Sequence, residues 1–288
     1  MHPEEQDHHG AAEPTPDPQA PRPQPTGSAL GLFDRINNYM LLVYAGACLL
    51  MNYSLAGLLY FKGMIALSLS LPGIFSILIP FVLLARRSAL GFAGEFSLGR
   101  PDLKTTAIVI LASAAAILPI EAFSALFERS WTPDADYTSF ILSIKPKGPA
   151  SFFFIALGVV VIAAITEELL FRGFIQRIFQ RNMNGALAVI LASLLFSLSH
   201  FNPPLIPAIA ALGILYGYIF YRTGTLWYSI GGHAIYNLAT LIRLNAASEE
   251  EIVSANVVTP HLAWTLVSLA ILVISLRILH GLHRPARQ

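Results

Sequence analysis

The chain has 288 residues, of which 55% are hydrophobic and 12% charged, with a mean hydropathy of +0.61. A soluble domain carries about 25% charged residues, so this composition covers a water-facing surface poorly and points to a membrane protein. A net charge of +1, no basic run longer than Arg86-Arg87 and the single cysteine Cys48 exclude a nucleic-acid surface, a disulfide framework and a Cys-rich metal site.

Residues 1–30 differ from the rest. Six prolines between Pro14 and Pro25, with no aromatic residue among them, predict a disordered cytoplasmic tail. No cationic flank followed by an early apolar run marks a signal peptide, so the first apolar helix is expected to remain in the mature chain. Residues 31–288 form the expected transmembrane helical domain. A bilayer core of about 30 Å takes roughly 20 apolar residues. No Asp, Glu, Lys or Arg occurs between Arg35 and Lys62, or from Gly63 to Ala85. A third run covers Thr105 to about Phe127, interrupted by Glu121, which reads as the outer end of its helix. A fourth begins at Ser151 and runs into Glu167-Glu168. The uncharged stretch Asn182–Tyr221 is divided into two spans by Phe201-Asn202-Pro203-Pro204, and Thr223–Ile242 and about His261–Leu276 supply the last two. The expected fold is therefore an all-α polytopic membrane protein of about eight transmembrane helices, with a few polar residues inside the bundle. Pro72, Pro80 and Pro119 fall inside spans, where neighbouring helices absorb kinks. Glu249-Glu250-Glu251 reads as a solvated loop.

With a cytoplasmic N-terminus, thirteen Lys and Arg residues fall on inside segments and five on outside segments. Both termini are thus expected in the cytoplasm. No internal repeat supports an inverted-repeat transporter.

Polar residues kept in apolar spans need a reason, since a mid-bilayer charge costs about 2.5–3.5 kcal/mol on insertion scales. They are Glu167-Glu168-Leu-Leu-Phe-Arg172, His200, His233 and Asn237. The fourth and fifth spans make an antiparallel hairpin turning at Asn182-Met183-Asn184-Gly185, and Glu167 and His200 are equidistant from that turn, so they are expected to face each other. His233 and Asn237, four apart, share a helix face, as do Phe196 and His200. Glu168 and Arg172 stand in the favourable i, i+4 order for an ion pair. Glu167, left without a local partner, becomes the candidate base. Water reaches it through a cavity lined by the fourth, fifth and seventh spans, opening to the cytoplasm, with Phe171 and Asn237 on its wall.

Residues 167–172 as EExxxR, 196–200 as FxxxH and 233–237 as HxxxN resemble the CPBP family of intramembrane glutamic endopeptidases, also called Abi, which includes the type II CAAX-prenyl endopeptidases. The resemblance covers about residues 150–240. It implies that Glu167 activates water with help from His200, that His233 and Asn237 position the carbonyl and stabilise the oxyanion, and that Glu168 and Arg172 are a supporting ion pair. The substrate it implies is a membrane-anchored protein or peptide in the lipid bilayer, cleaved without cofactor or metal, and nucleic acid is not a partner.

Other mechanisms leave their own marks. No HExxH is present, no GxSG-type nucleophile turn accompanies either histidine, and all six aspartates lie outside the spans. A zinc site built from Glu167, His200 and His233 stays open as an alternative, as does a non-catalytic immunity, scaffold or transport protein of the same fold.

Overall fold

The structure, a computed structural model, describes residue 31 and residues 35–131, 135–253 and 260–282. The expected tail, residues 1–30, lies outside the described residues, as do Arg22, Arg284 and Arg287 of the charge count. Among the described residues every regular element is helical.

The helices in chain order are α1 (Asn38–Phe61), α2 (Ile65–Ala85), α3 (Leu103–Glu128), α4 (Ala135–Ile144), α5 (Pro149–Asn182), α6 (Gly185–Leu198), α7 (Pro203–Thr223), α8 (Leu226–Ala246) and α9 (Leu262–Leu282). Short helical turns at Gly91–Glu95 and Glu249–Val253 lie in connecting segments, the second where a loop is expected. Among the described residues six helices are long and apolar enough to cross a membrane: α1, α2, α3, α5, α7 and α9. This is an integral membrane protein. The expected count of eight needs qualification at α6 and α8. At 14 residues α6 reaches only about 21 Å at about 1.5 Å per residue. It stops because Phe201 takes a left-handed φ of 50° and Pro203-Pro204 follows. By contrast α8 is long enough at 21 residues, but Ser229, His233, Asn237 and Arg243 make it too polar to qualify.

The longest helix, α5, has 34 residues and measures about 50 Å at about 1.5 Å per residue. Its C-terminal end is gripped by the 86–102 segment, where the Arg177 guanidinium donates to the Glu95 carbonyl. The α5–α6 turn falls at Met183-Asn184, and the Asn184 side chain caps α6 by accepting from Leu187 N at 2.9 Å. Helix α8 starts on the same layer. Leu226 N donates to Ser97 O at 3.1 Å, and Tyr228 Oη donates to Asp102 Oδ2 at 3.0 Å while Asp102 caps α3.

The backbone of α5 is not uniformly α-helical. Two π-helical segments, Leu157–Ile162 and Leu169–Gln176, flank the α-helical turn Ala163–Glu168. Wide turns of this kind occur mostly at functional sites, because they re-aim side chains and release carbonyls from the regular ladder. Here they flank the turn that carries the glutamate pair.

Close approach of α7 to α5 rests on two glycines. Arg172 Nη2 donates to Gly213 O at 3.1 Å, and one turn on, Gln176 Nε2 donates to Gly217 O at 3.0 Å. A Cβ on Gly217 would meet Gln176 Oε1 at 2.8 Å and Val189 Cγ1 at 3.0 Å. Gly217→Ala is therefore expected to destabilise the fold by about 1–3 kcal/mol, read as a lowered thermal midpoint. An unchanged midpoint would mean that this rung is slack.

Candidate active site

Glu168 is the centre of the buried cluster. Its side chain is fully buried, and its Oε1 accepts from Arg172 Nη1 at 2.7 Å and from His233 Nδ1 at 2.9 Å. A carboxylate oxygen holding two cationic or polar donors is a strong arrangement. It ties α5 to α8 through side chains 65 residues apart in the chain. The Arg172 guanidinium also lies 4.5 Å from the centre of the Phe196 ring, a cation–π contact.

His233 is held from three sides. Glu168 takes Nδ1, the Tyr216 ring stacks on it at 5.8 Å with an 11° tilt, and Phe196 meets it edge-on at 5.8 Å. Tyr216 is fixed in turn by its hydroxyl, which donates to Gly232 O at 2.9 Å. A Cβ on Gly232 would come within 2.7 Å of Tyr216 Cε1, so only glycine lets the ring lie against α8. With Nδ1 engaged, His233 presents Nε2 alone, and Nε2 lies 3.8 Å from Glu167 Oε2.

Glu167 is the open member of the cluster. Its side chain is 29% exposed, against 0% for Glu168 and 8% for His233. Asn237 lies one turn beyond His233 and donates from Nδ2 to Val159 O at 2.8 Å, a carbonyl in the first π-helical segment of α5. His200 sits just past the end of α6. Its Nδ1 donates to Phe196 O at 2.8 Å, and its ring packs edge-on against Phe196 at 4.8 Å. Phe196 therefore contacts both histidines and the arginine.

The six residues singled out in the sequence lie around this cluster, and His233 joins the two glutamates there. No hydrogen bond or ion pair joins Glu167 to His200 among the described residues; the imidazole near Glu167 is that of His233. The hairpin rule assumes two regular helices. Here α6 ends at Leu198, before His200, and π-helical segments flank the turn that bears Glu167. Likewise, Glu168 bonds His233 as well as Arg172. Among the described residues no three His, Cys, Asp or Glu side chains are grouped closely enough to hold a metal ion.

Two contributors carried no signal that the sequence reading used. Tyr216 could have been found from the Gly213-x-x-x-Gly217 spacing around it, a close-packing pattern for membrane helices. Tyr53 in α1 has no such mark. It is within electrostatic reach of Glu167, its hydroxyl donates to Ser199 O, and its ring meets Phe201 edge-on at 5.2 Å. The first span thus holds the turn that bears His200.

Access also differs from the expectation. Every residue from Leu169 to Gln176 is buried, and Phe171 is 2% exposed against Phe196, so the path from Glu167 toward the 86–102 segment is closed. Exposed His200 and Phe201 lie on the other side. A cavity of about 570 Å³ between α3, α7 and α8 opens at that same end. It is lined by Tyr236, Thr240, Leu205 and the Glu121–Arg243 ion pair. Glu121, near the end of α3, thus also lines a cavity. With the orientation expected from the charge count this end faces away from the cytoplasm, and we propose access beside the 199–205 turn in place of a cytoplasmic opening. In a Cys48→Ala background, Asn237→Cys and His200→Cys are expected to react with a small water-soluble thiol reagent, followed by mass shift, and Phe171→Cys is expected to stay protected. Rapid labelling of Phe171→Cys would reverse the direction of access.

Comparison with known families bears on the same stretch. Residues 149–239 match the family described as type II CAAX prenyl endopeptidase Rce1-like. The match runs from the start of α5 into α8 and takes in all six residues of the cluster. No curated protein and no solved structure gave a match.

Proposed function

We propose that the chain is an intramembrane endopeptidase of the glutamic type, hydrolysing a peptide bond in a membrane-anchored protein or peptide. The observation that carries this reading is the difference between the adjacent glutamates: Glu168 is sealed and doubly bonded, whereas Glu167 is open and faces His233 Nε2 at 3.8 Å. A carboxylate without a direct partner at the edge of a water-accessible site is suited to take a proton from water. The water oxygen, oriented by the bare Nε2 of His233, whose proton is on Nδ1 and held by Glu168, attacks the carbonyl carbon; the proton passes to Glu167, and the tetrahedral oxyanion is stabilised by the second N–H of Asn237, whose first is spent on Val159 O. Glu167 then returns the proton to the leaving amine, with no covalent intermediate. His200, with Nδ1 fixed by Phe196 O, offers Nε2 to the same water. Glu168 and Arg172 act through His233, fixing its ring orientation.

The test is a comparison of membrane-protein termini in the native host with wild-type protein and with Glu167→Ala. Expected are one or a few membrane-anchored fragments whose new termini vanish in the variant. Identical termini, with the biological effect of the chain retained, would favour a scaffold. Purified protein is expected to keep its activity in chelator; inhibition reversed by added zinc would instead favour metal-activated water.

A further inference from the structure

A second large groove, about 660 Å³, runs between α6, α7 and α9 and touches α3 at its base. None of the six cluster residues lines it. Its wall is apolar over most of its length, with Ile190, Ala211, Ile214 and Leu272, and no carboxylate lines it among the described residues. Only one end is polar, where Tyr218, Tyr221, Arg277 and His280 meet.

That polar end lies at the membrane boundary. Tyr218 and Tyr221 are in the last turns of α7, Arg277 and His280 are in the last turns of α9, and Ala186 is the second residue of α6. The end is also built. Tyr218 Oη and His280 Nδ1 are 2.9 Å apart, and buried Arg222 donates to His280 O at 2.5 Å, clamping α9 to α7 and adding positive charge behind the rim. The Arg277 side chain is exposed at this rim. From Tyr221 down to Ala211 the groove follows about 15 Å of helix at about 1.5 Å per residue, half of a core of about 30 Å. An apolar slot one leaflet deep, ending in hydroxyls and cationic side chains with no opposing acid, complements one kind of molecule.

We infer that this groove binds an anionic phospholipid, with one acyl chain lying along α7 and the phosphate held by Arg277, His280 and the tyrosine hydroxyls. Basic side chains at the ends of membrane helices attract anionic headgroups, and tyrosine is at home at headgroup depth. The neutral, zwitterionic lipids of the same chain length fill the slot equally well and lack the net charge that the rim answers.

The test uses the purified full chain in detergent with phosphatidylglycerol or phosphatidylcholine of identical acyl chains, read by native mass spectrometry. Expected is one phosphatidylglycerol retained per chain at concentrations where phosphatidylcholine is not retained. Arg277→Gln should weaken that retention about five-fold, the factor for one basic side chain near the headgroups. Ile214→Trp, at an exposed position, should abolish it by filling the slot. Both variants should keep the lipid-free thermal midpoint, which separates loss of binding from loss of fold. Equal retention of the two lipids, or retention unchanged in Arg277→Gln, overturns the proposal and leaves ordinary annular lipid. A chain dimer broken by Ile214→Trp and insensitive to lipid overturns it in favour of a second copy.

Discussion

Glu167→Gln is expected to lower turnover by roughly 10²–10⁴-fold, the usual contribution of a positioned general base, while leaving the thermal midpoint near that of the wild type. The amide keeps the shape of the carboxylate and removes its capacity to accept a proton. Little stability is at stake, because the Glu167 side chain is 29% exposed and its nearest ionisable partner, His233 Nε2, is 3.8 Å away, beyond hydrogen-bond length. The measurement is single-turnover cleavage of a membrane-reconstituted substrate alongside a thermal melt of the same preparation. Wild-type turnover in Glu167→Gln would remove Glu167 as the base, and an equal fall in both turnover and midpoint would make it a structural residue.

Why so much of this was legible in advance follows from the cost of polar groups in lipid. Charges are so sparse in this chain that each interruption of an apolar run marks either a helix end or a residue with a task, and α1, α2, α3, α5, α7 and α9 emerge from that rule alone. The same rule isolates Glu167, Glu168, Arg172, His200, His233 and Asn237 before any contact is known. It fails where the backbone departs from the regular helix. Spacing arguments assume 3.6 residues per turn, and α5 breaks that assumption on both sides of the glutamates. The hairpin therefore predicted the neighbourhood but not that His233 stands beside Glu167. Tyr53 was invisible for another reason. A tyrosine in an apolar helix is unremarkable by composition, and its importance lies in a contact with Ser199 O across 146 residues of chain.

Glu168→Gln and Arg172→Met should behave in the opposite way to Glu167→Gln. Each removes one partner of an ion pair whose side chains are 0% and 1% exposed, leaving the other charge buried and unpaired. Breaking a buried pair in this way costs about 3–5 kcal/mol, so both single variants should show sharply lowered thermal midpoints. Arg172→Met also surrenders the bond to Gly213 O and the contact with Phe196, so it should be the worse of the two. The double variant is the informative one. Replacing both charges together leaves neither stranded, and the midpoint should recover most of the loss. Activity should not recover with it, because Glu168 Oε1 also holds His233 Nδ1 at 2.9 Å, and a glutamine at that position can turn its NH2 toward the ring and lose the tautomer. Stability restored without turnover would separate the two tasks of Glu168, bracing the α5–α7–α8 packing and aiming the imidazole at the open glutamate. Turnover restored along with the midpoint would reduce the carboxylate to bracing alone, and would leave the stack on Tyr216 and the edge of Phe196 as sufficient to orient His233.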